Sequence, residues 1–133
     1  EVKMKGFVPV LAHIERYFHD GLDYSIIDHW VDMGCILQLN RTSILGVNGK
    51  TIQANALELL DNGYCDVICT DTHRASGNRI EQLSDVYSVV SKRIGSENAD
   101  ILFYENPKLL LSNKEILNIE VEKKKKLFGF FGR

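Results

Sequence analysis

The run Val67-Ile68-Cys69-Thr70-Asp71-Thr72-His73 begins as an apolar strand and ends abruptly on a carboxylate and an imidazole. Alternation along an extended chain puts Val67, Cys69, Asp71 and His73 on one face, with Ile68, Thr70 and Thr72 on the other. A buried strand that carries Asp-x-His at its carboxy end offers an oxygen and a nitrogen to one region of space. In barrels and open α/β sheets that end of a strand is where sites are built. Asp and His together suit a divalent metal such as Zn, Mn or Fe. The competing reading makes Asp71 the N-cap of a short helix, with His73 packed beside it.

A second run of the same design shifts the balance. Phe7-Val8-Pro9-Val10-Leu11-Ala12-His13 closes on a histidine and is followed at once by Ile14-Glu15-Arg16-Tyr17. Two such runs in one short chain read as convergent ligands.

The rest of the chain alternates. A strand over 7–13 leads to a helix from Tyr24 to Met33, whose apolar residues Ile26, Ile27, Trp30 and Val31 share a face. Gly34 stops it in the C′ position. Cys35 to Asn40 reads as a second strand and Arg41 to Lys50 as a loop. Ile52 to Asp61 is a helix closed by Asn62-Gly63. Asp66 to Thr70 is the third strand, and Thr72 to Asn78 a polar loop. A helix from Arg79 to Ile94 and a shorter one from Glu97 to Tyr104 follow, then a break at Asn106-Pro107 and a turn over Lys108 to Leu111. This β-α-β-α-β-α order predicts parallel strands joined by crossover helices.

At 133 residues the chain is one domain in size, yet three strands make only part of a sheet, and a barrel needs about 250 residues. It therefore reads as the carboxy-terminal part of a larger α/β protein, or as a small domain that completes itself by association into a homo-oligomer. A net charge of −2 argues against a general nucleic-acid binder. No apolar run is long enough for stable membrane insertion. The cysteines, Cys35, Cys65 and Cys69, are odd in number and sit in or beside apolar stretches, the usage of a reducing, cytoplasmic compartment.

The residues from Gly6 through Pro9-Val10-Leu11-Ala12-His13-Ile14-Glu15-Arg16-Tyr17 resemble the G-x-x-P-V-L-A-H-P-E-R-Y signature of bacterial PHP-type tyrosine phosphatases, the CpsB/CapC capsular polysaccharide family. The similarity continues through Gly34 to Asn40, Ser43 to Gly46 and Thr70-Asp71-Thr72-His73, and reaches Asn106-Pro107. Ile14 stands where proline is usual and Thr70 where serine is usual. The family's amino-terminal half, with its His-x-His motif and further ligands, has no counterpart here.

The resemblance implies an α/β fold, the C-terminal part of a distorted (β/α)7 PHP barrel with a metal cluster at the carboxy ends of its strands. Residues 1–118 would form that half-domain, and 119–133 a basic and aromatic tail, disordered or touching anionic lipid. By position, His13, Asp71 and His73 become metal ligands, with manganese expected and iron or zinc the alternatives. Arg16 binds the substrate phosphate, and Arg79, or else Arg74, supplies a second phosphate contact. The implied substrate is the phosphotyrosine tail of a bacterial tyrosine autokinase that controls capsule or exopolysaccharide export. The alternatives are a PHP phosphoesterase acting on a small molecule such as histidinol phosphate, and a non-catalytic binding fragment.

Other features carry less. Cys35 and Arg41 have the bare Cys-x5-Arg spacing of cysteine-dependent phosphatases, but the intervening residues are a strand without the glycine a phosphate cradle needs. His19 and His29 read as surface residues. Glu15 is either a partner that orients an imidazole or arginine, or half of a surface ion pair. Tyr17 and Phe18 either line an entrance for an aromatic substrate or pack in the core or at its rim.

Overall fold

A computed structural model describes residues 1–77 and 81–122. It contains a parallel sheet of three strands in the order β1-β2-β3, namely β1 (Val10–Leu11), β2 (Ile36–Asn40) and β3 (Val67–Cys69). The helices are α1 (Tyr24–Asp32), α2 (Arg41–Ile44), α3 (Lys50–Asp61), α4 (Ser84–Ile94), α5 (Ser96–Asp100) and α6 (Asn106–Leu111). The protein is thus a mixed α/β chain, and none of its described helices is long and apolar enough to cross a membrane.

β2 is the central strand, and all five of its residues are buried. That is expected where helices cover both faces of a parallel sheet. Leu37, Leu39 and Ile68 from the sheet pack with Ile27 of α1, Leu59 and Leu60 of α3, Val86 and Val90 of α4, and Leu102. Asp23 caps α1, its Oδ1 accepting from the hydroxyl of Ser25 at 2.6 Å and from its amide at 3.0 Å, and the hydroxyl above all pulls its carboxyl below the ordinary value. Gly34 (φ +74) follows the end of α1 in the left-handed conformation that stops it.

Several expected boundaries move, each for a local reason. The first strand shrinks from 7–13 to two residues: Pro9 has no N–H to donate and joins β2 only through its carbonyl, which accepts from the Ile36 amide at 2.9 Å, Val10 and Leu11 register with Ile36 and Leu37, and His13 turns left-handed. The expected loop after β2 opens instead with α2, because Arg41 folds inward onto Asp85 and Thr42, Ser43 and Ile44 are buried with it. The helix expected from Arg79 starts at Ser84, where the Asp85 carboxylate accepts from the amide of Val86 in the first turn. Arg79 itself lies outside the described residues.

The shorter expected helix splits. α5 runs from Ser96 to Asp100, and a wide π-type turn, Ile101–Glu105, leads straight into α6. Asn106-Pro107 is therefore a helix start rather than a break. Proline fits a first turn, whose N–H groups have no intrahelical acceptor anyway. Residues 119–122, expected to begin the tail, are docked on the body. Ile119 belongs to the core, and Asn98 and Glu120 exchange hydrogen bonds of 2.7 and 3.3 Å. The basic and aromatic run after them lies outside the described residues.

Asn106 is fully buried and holds this carboxy-terminal segment to the sheet. Its Nδ2 donates to the carbonyls of Asp66 and Leu117 at 2.8 and 2.9 Å, and its Oδ1 accepts from the Leu117 amide at 2.8 Å. Asn106→Ala strands three buried backbone groups and should cost about 2–4 kcal/mol, read from urea denaturation.

Asp66 supports the same edge, its Oδ2 accepting from the Leu37 amide at 2.8 Å. Burial raises its pKa above 3.8, only partly opposed by that amide. The folded chain thus holds this proton more tightly than the unfolded one. The resulting stability is complete below about pH 3.8 and is lost as pH rises through the folded value. Asp66→Asn can keep the bond to Leu37 without ionising. Its stability relative to the parent should therefore rise between pH 4 and pH 7, a change readable from urea midpoints at the two pH values.

Candidate metal and phosphate site

The carboxy ends of the three parallel strands lie side by side, and the expected site residues follow just beyond them. His13 (φ 42) and Asp71 (φ 52) both adopt the left-handed conformation that side chains other than glycine rarely take. Such positions cost about 1–3 kcal/mol and collect at functional sites. The strand alternation expected from sequence therefore stops at Cys69, the last residue of β3. The turn at Asp71, not the pleat, sets where Asp71 and His73 point.

Buried amides connect these turns. The His13 amide donates to Gln38 Oε1 at 2.7 Å. Gln38 Nε2 donates to the Leu39 carbonyl at 2.7 Å and to Asn40 Oδ1 at 2.8 Å. Asn40 Nδ2 lies 3.3 Å from Asp71 Oδ2. On the far side, His73 Nδ1 is 2.7 Å from the Asp71 carbonyl and 3.6 Å from Asp71 Oδ1. Asp71 and His73 are thus neighbours, with His73 exposed at the rim.

His13 and the Asp71–His73 pair follow strands that are not adjacent, because β2 runs between β1 and β3. Among the described residues no group of three or more His, Cys, Asp or Glu side chains is arranged to hold a metal ion. The expected convergence of His13 with Asp71 and His73 is therefore not seen. The donor chemistry still fits an N/O-ligated divalent metal, and the Nδ1 of His13 is buried without a hydrogen-bond partner. What the strand ends provide is an open half-site.

Glu15 is fully buried, which excludes the surface ion pair. Its Oε1 accepts from the backbone amide of Asn40 at 3.1 Å, fastening the turn after β1 to the end of β2. Oε2 and the nearby Ser43 hydroxyl are buried without a hydrogen bond of ordinary geometry. Burial raises the Glu15 pKa, opposed in turn by the Ser43 hydroxyl, backbone amides and the Arg16 charge. Asn55 of α3 holds the same turn, its Nδ2 donating to the carbonyls of Glu15 and Phe18 at 3.1 and 2.9 Å.

Arg16 is the second feature of the site. Its Nη2 donates to Thr42 Oγ1 at 3.4 Å and Asn48 Oδ1 at 3.2 Å, both neutral oxygens, and its buried Nε has no partner. The loop carrying Asn48 is shaped by Gly46 (φ +84), where an added Cβ would lie 2.9 Å from the Gln53 amide. Arg41, by contrast, grips Asp85 with both Nε and Nη2, at 3.0 and 2.5 Å. This, together with the extended strand after Cys35, leaves no phosphate cradle of the cysteine-dependent kind.

Tyr17 is exposed, its hydroxyl donating to the Ala12 carbonyl and its ring set edge-on 5.8 Å from that of His13. Phe18 is a core residue. His19, His29 and Arg74 are exposed. Sequence reasoning missed the roles of Gln38, Asn40 and Asn55. The signal for the first two was present: polar residues two apart, on one face of a strand too apolar to be anything but buried, must find partners inside.

A family model for capsular polysaccharide synthesis, CpsB/CapC, matches residues 1–112. The chain is 32% identical over 133 residues to the tyrosine-protein phosphatase YwqE of Bacillus subtilis, covering 98% of this chain and 52% of that protein. It is 29% identical over 122 residues to the tyrosine-protein phosphatase CpsB of Streptococcus pneumoniae, covering 86% of this chain and 49% of that one. A solved structure from work on these two proteins, described as unique metal-dependent tyrosine phosphatases, superposes with a TM-score of 0.75 at 28% identity. That match covers 94% of this chain and 50% of the solved one. The chain spans about half the length of the curated relatives it matches.

The buried Glu15 gives a direct test of how the site is held. Glu15→Gln keeps an acceptor for the Asn40 amide and should change stability by less than about 1 kcal/mol at neutral pH. Glu15→Ala leaves that amide and a cavity unfilled and should cost about 2–4 kcal/mol, both read from chemical denaturation.

Proposed function

This chain belongs to the capsular polysaccharide synthesis CpsB/CapC family, and from that premise we propose that it provides the carboxy-terminal half of a metal-dependent protein-tyrosine phosphatase. The observation that carries the reading is Arg16, three residues beyond His13, a half-buried guanidinium whose hydrogen bonds among the described residues go to the neutral oxygens of Thr42 and Asn48 and whose buried Nε makes none. A planar fork left in that state is suited to a phosphoryl group, which it can bind bidentately.

His13, Asp71 and His73 would hold the metal, and the imidazole and carboxylate donors suit manganese, with iron or zinc as alternatives. Divalent metals, when bound, lower the pKa of a coordinated water and stabilise charge on phosphoryl oxygens. The chain's own contributions are separate from that. Arg16 orients the phosphate and meets the charge that grows on its oxygens in the transition state. Arg79 is the preferred second phosphate contact, and Arg74, exposed in the loop after His73, is the alternative.

The fold reading is the C-terminal part of a distorted (β/α)7 PHP barrel, with residues 1–118 as the half-domain. Parallel strands support it, as do Phe7, Val8 and Val10, large apolar residues left exposed beside β1 as they would be on a strand with a neighbour still to pair. The proposed substrate is the phosphotyrosine tail of a bacterial tyrosine autokinase in capsule or exopolysaccharide export, a cytoplasmic reaction. A second reading, a non-catalytic binding fragment, is favoured by the lack of a three-ligand cluster among the described residues.

Metal binding separates the two. Calorimetry should show the chain taking up manganese weakly, and His13→Ala or Asp71→Ala should weaken uptake further. No uptake at all would support the binding fragment. In a chimera where this chain replaces the matching half of the Bacillus subtilis phosphatase, Arg16→Ala should lower kcat/KM on a phosphotyrosine peptide by about 100-fold or more. Arg16→Lys should recover only part of that, and Cys35→Ser should be nearly silent, because a half-buried cysteine at a strand entry acts as a small apolar filler.

A further inference from the structure

The polar series that joins the three strand ends has a direction, and one backbone amide sets it. Gln38 Oε1 accepts from the His13 amide at 2.7 Å, and a backbone N–H can only donate. The Nε2 of Gln38 therefore faces the other way, giving one proton to the Leu39 carbonyl and the other to Asn40 Oδ1 at 2.8 Å. With its oxygen so occupied, Asn40 has only Nδ2 to present to Asp71, 3.3 Å from Oδ2. Both amides are assigned without ambiguity, and both side chains are buried, Gln38 at 6% exposure and Asn40 at 0%.

We infer that Gln38 and Asn40 are positioning residues, a directed amide relay that locks the carboxylate of Asp71 to the main chain of His13 across β2. The inference rests on the reading of His13 and Asp71 as metal ligands. These residues leave strands that are not adjacent, and each sits in a left-handed turn that the backbone alone does not favour. A relay through the buried end of β2 ties the two turns to one rigid reference. It also engages Asp71 through Oδ2, leaving Oδ1 toward His73, 3.6 Å away. Apolar residues at 38 and 40 would fill the same space and supply none of this.

The test exchanges the two ends of the last link in the whole 133-residue chain. Asn40→Asp alone sets two carboxylates against each other where a donor met an acceptor, and should lower the urea midpoint clearly. Asp71→Asn alone can turn its oxygen to the Asn40 amide and should change stability little. The double variant keeps composition and charge and reverses the link, with an amide at position 71 now donating to a carboxylate at position 40. It should regain most of the stability lost in Asn40→Asp.

Manganese affinity, measured by calorimetry at a temperature where all four proteins are folded, supplies the readout that packing alone would not move. It should fall about 10-fold to 100-fold in Asn40→Asp, which keeps the ligand but misplaces it. It should stay low in the double variant, whose stability is restored but whose carboxylate has moved to position 40. A double variant no more stable than Asn40→Asp would overturn the directed link. Asn40→Asp with parental manganese affinity would overturn the positioning role. A parent chain that binds no manganese, with the stability exchange still working, would overturn the metal reading and the positioning role with it, leaving only a structural link.

Discussion

Everything in this chain depends on how the carboxy ends of its parallel strands satisfy their buried polar groups. A strand that stops inside a protein leaves amides and carbonyls with no ladder partner and no water, each costing about 1–3 kcal/mol if left alone. Side-chain amides do much of that work here. Gln38 takes the amide of His13, and Asn55 holds two carbonyls of the turn after β1, while Asn106 plays the same part at the opposite, amino end of β3, joining Asp66 to the carboxy-terminal segment. Glu15 adds a buried carboxyl on the amide of Asn40. Because each group has fixed donors and acceptors, the strand ends have one good arrangement and many poor ones.

The elements with a strong period were legible in the sequence. α1 and α3 fall within two residues of their expected limits, and β2 within one, because amphipathic helices and a strand built on Ile36, Leu37 and Leu39 announce themselves. The ends of elements were not legible, since they are decided by partners far away in sequence. α2 exists because Arg41 reaches Asp85, 44 residues on. α4 begins one residue before that same aspartate, whose carboxylate sits in the helix's first turn and accepts from the Val86 amide. The docked segment at 119–122 depends on Asn98 and on the core position of Ile119. None of these pairings leaves a local periodic trace.

The site was legible in its residues and not in its geometry. His13, Arg16, Asp71 and His73 were picked out as candidates at strand ends, and they lie in the turns after β1 and β3. The directions of Asp71 and His73 were read from strand alternation, and that reading stops where Asp71 turns left-handed after β3. For Glu15 the sequence left two readings open, since a charged residue in a charged cluster can look solvated, and the fold removes the surface ion pair by facing it toward Asn40 and Ser43. Strained turns, buried amides and a buried carboxyl in one place are what a scaffold shows when it holds side chains for something other than its own stability.

The two buried or half-buried arginines at the ends of the sheet make the same point by contrast. Arg41 opens α2 and is taken up by Asp85 in a two-point ion pair that raises its own pKa and holds the Asp85 carboxyl below its usual value. That pair fixes α2 against α4, and breaking either side would leave the other charge poorly matched. Arg16 has an equally planar fork, but the fold gives it only a hydroxyl and an amide oxygen. A guanidinium half withdrawn from water whose hydrogen bonds among the described residues go only to neutral oxygens is a cost the fold carries. A dianionic phosphoryl group at the open strand ends would offset it. The two arginines thus differ in the hydrogen-bond partner the fold gives each: a carboxylate for Arg41 and, among the described residues, the neutral oxygens of Thr42 and Asn48 for Arg16.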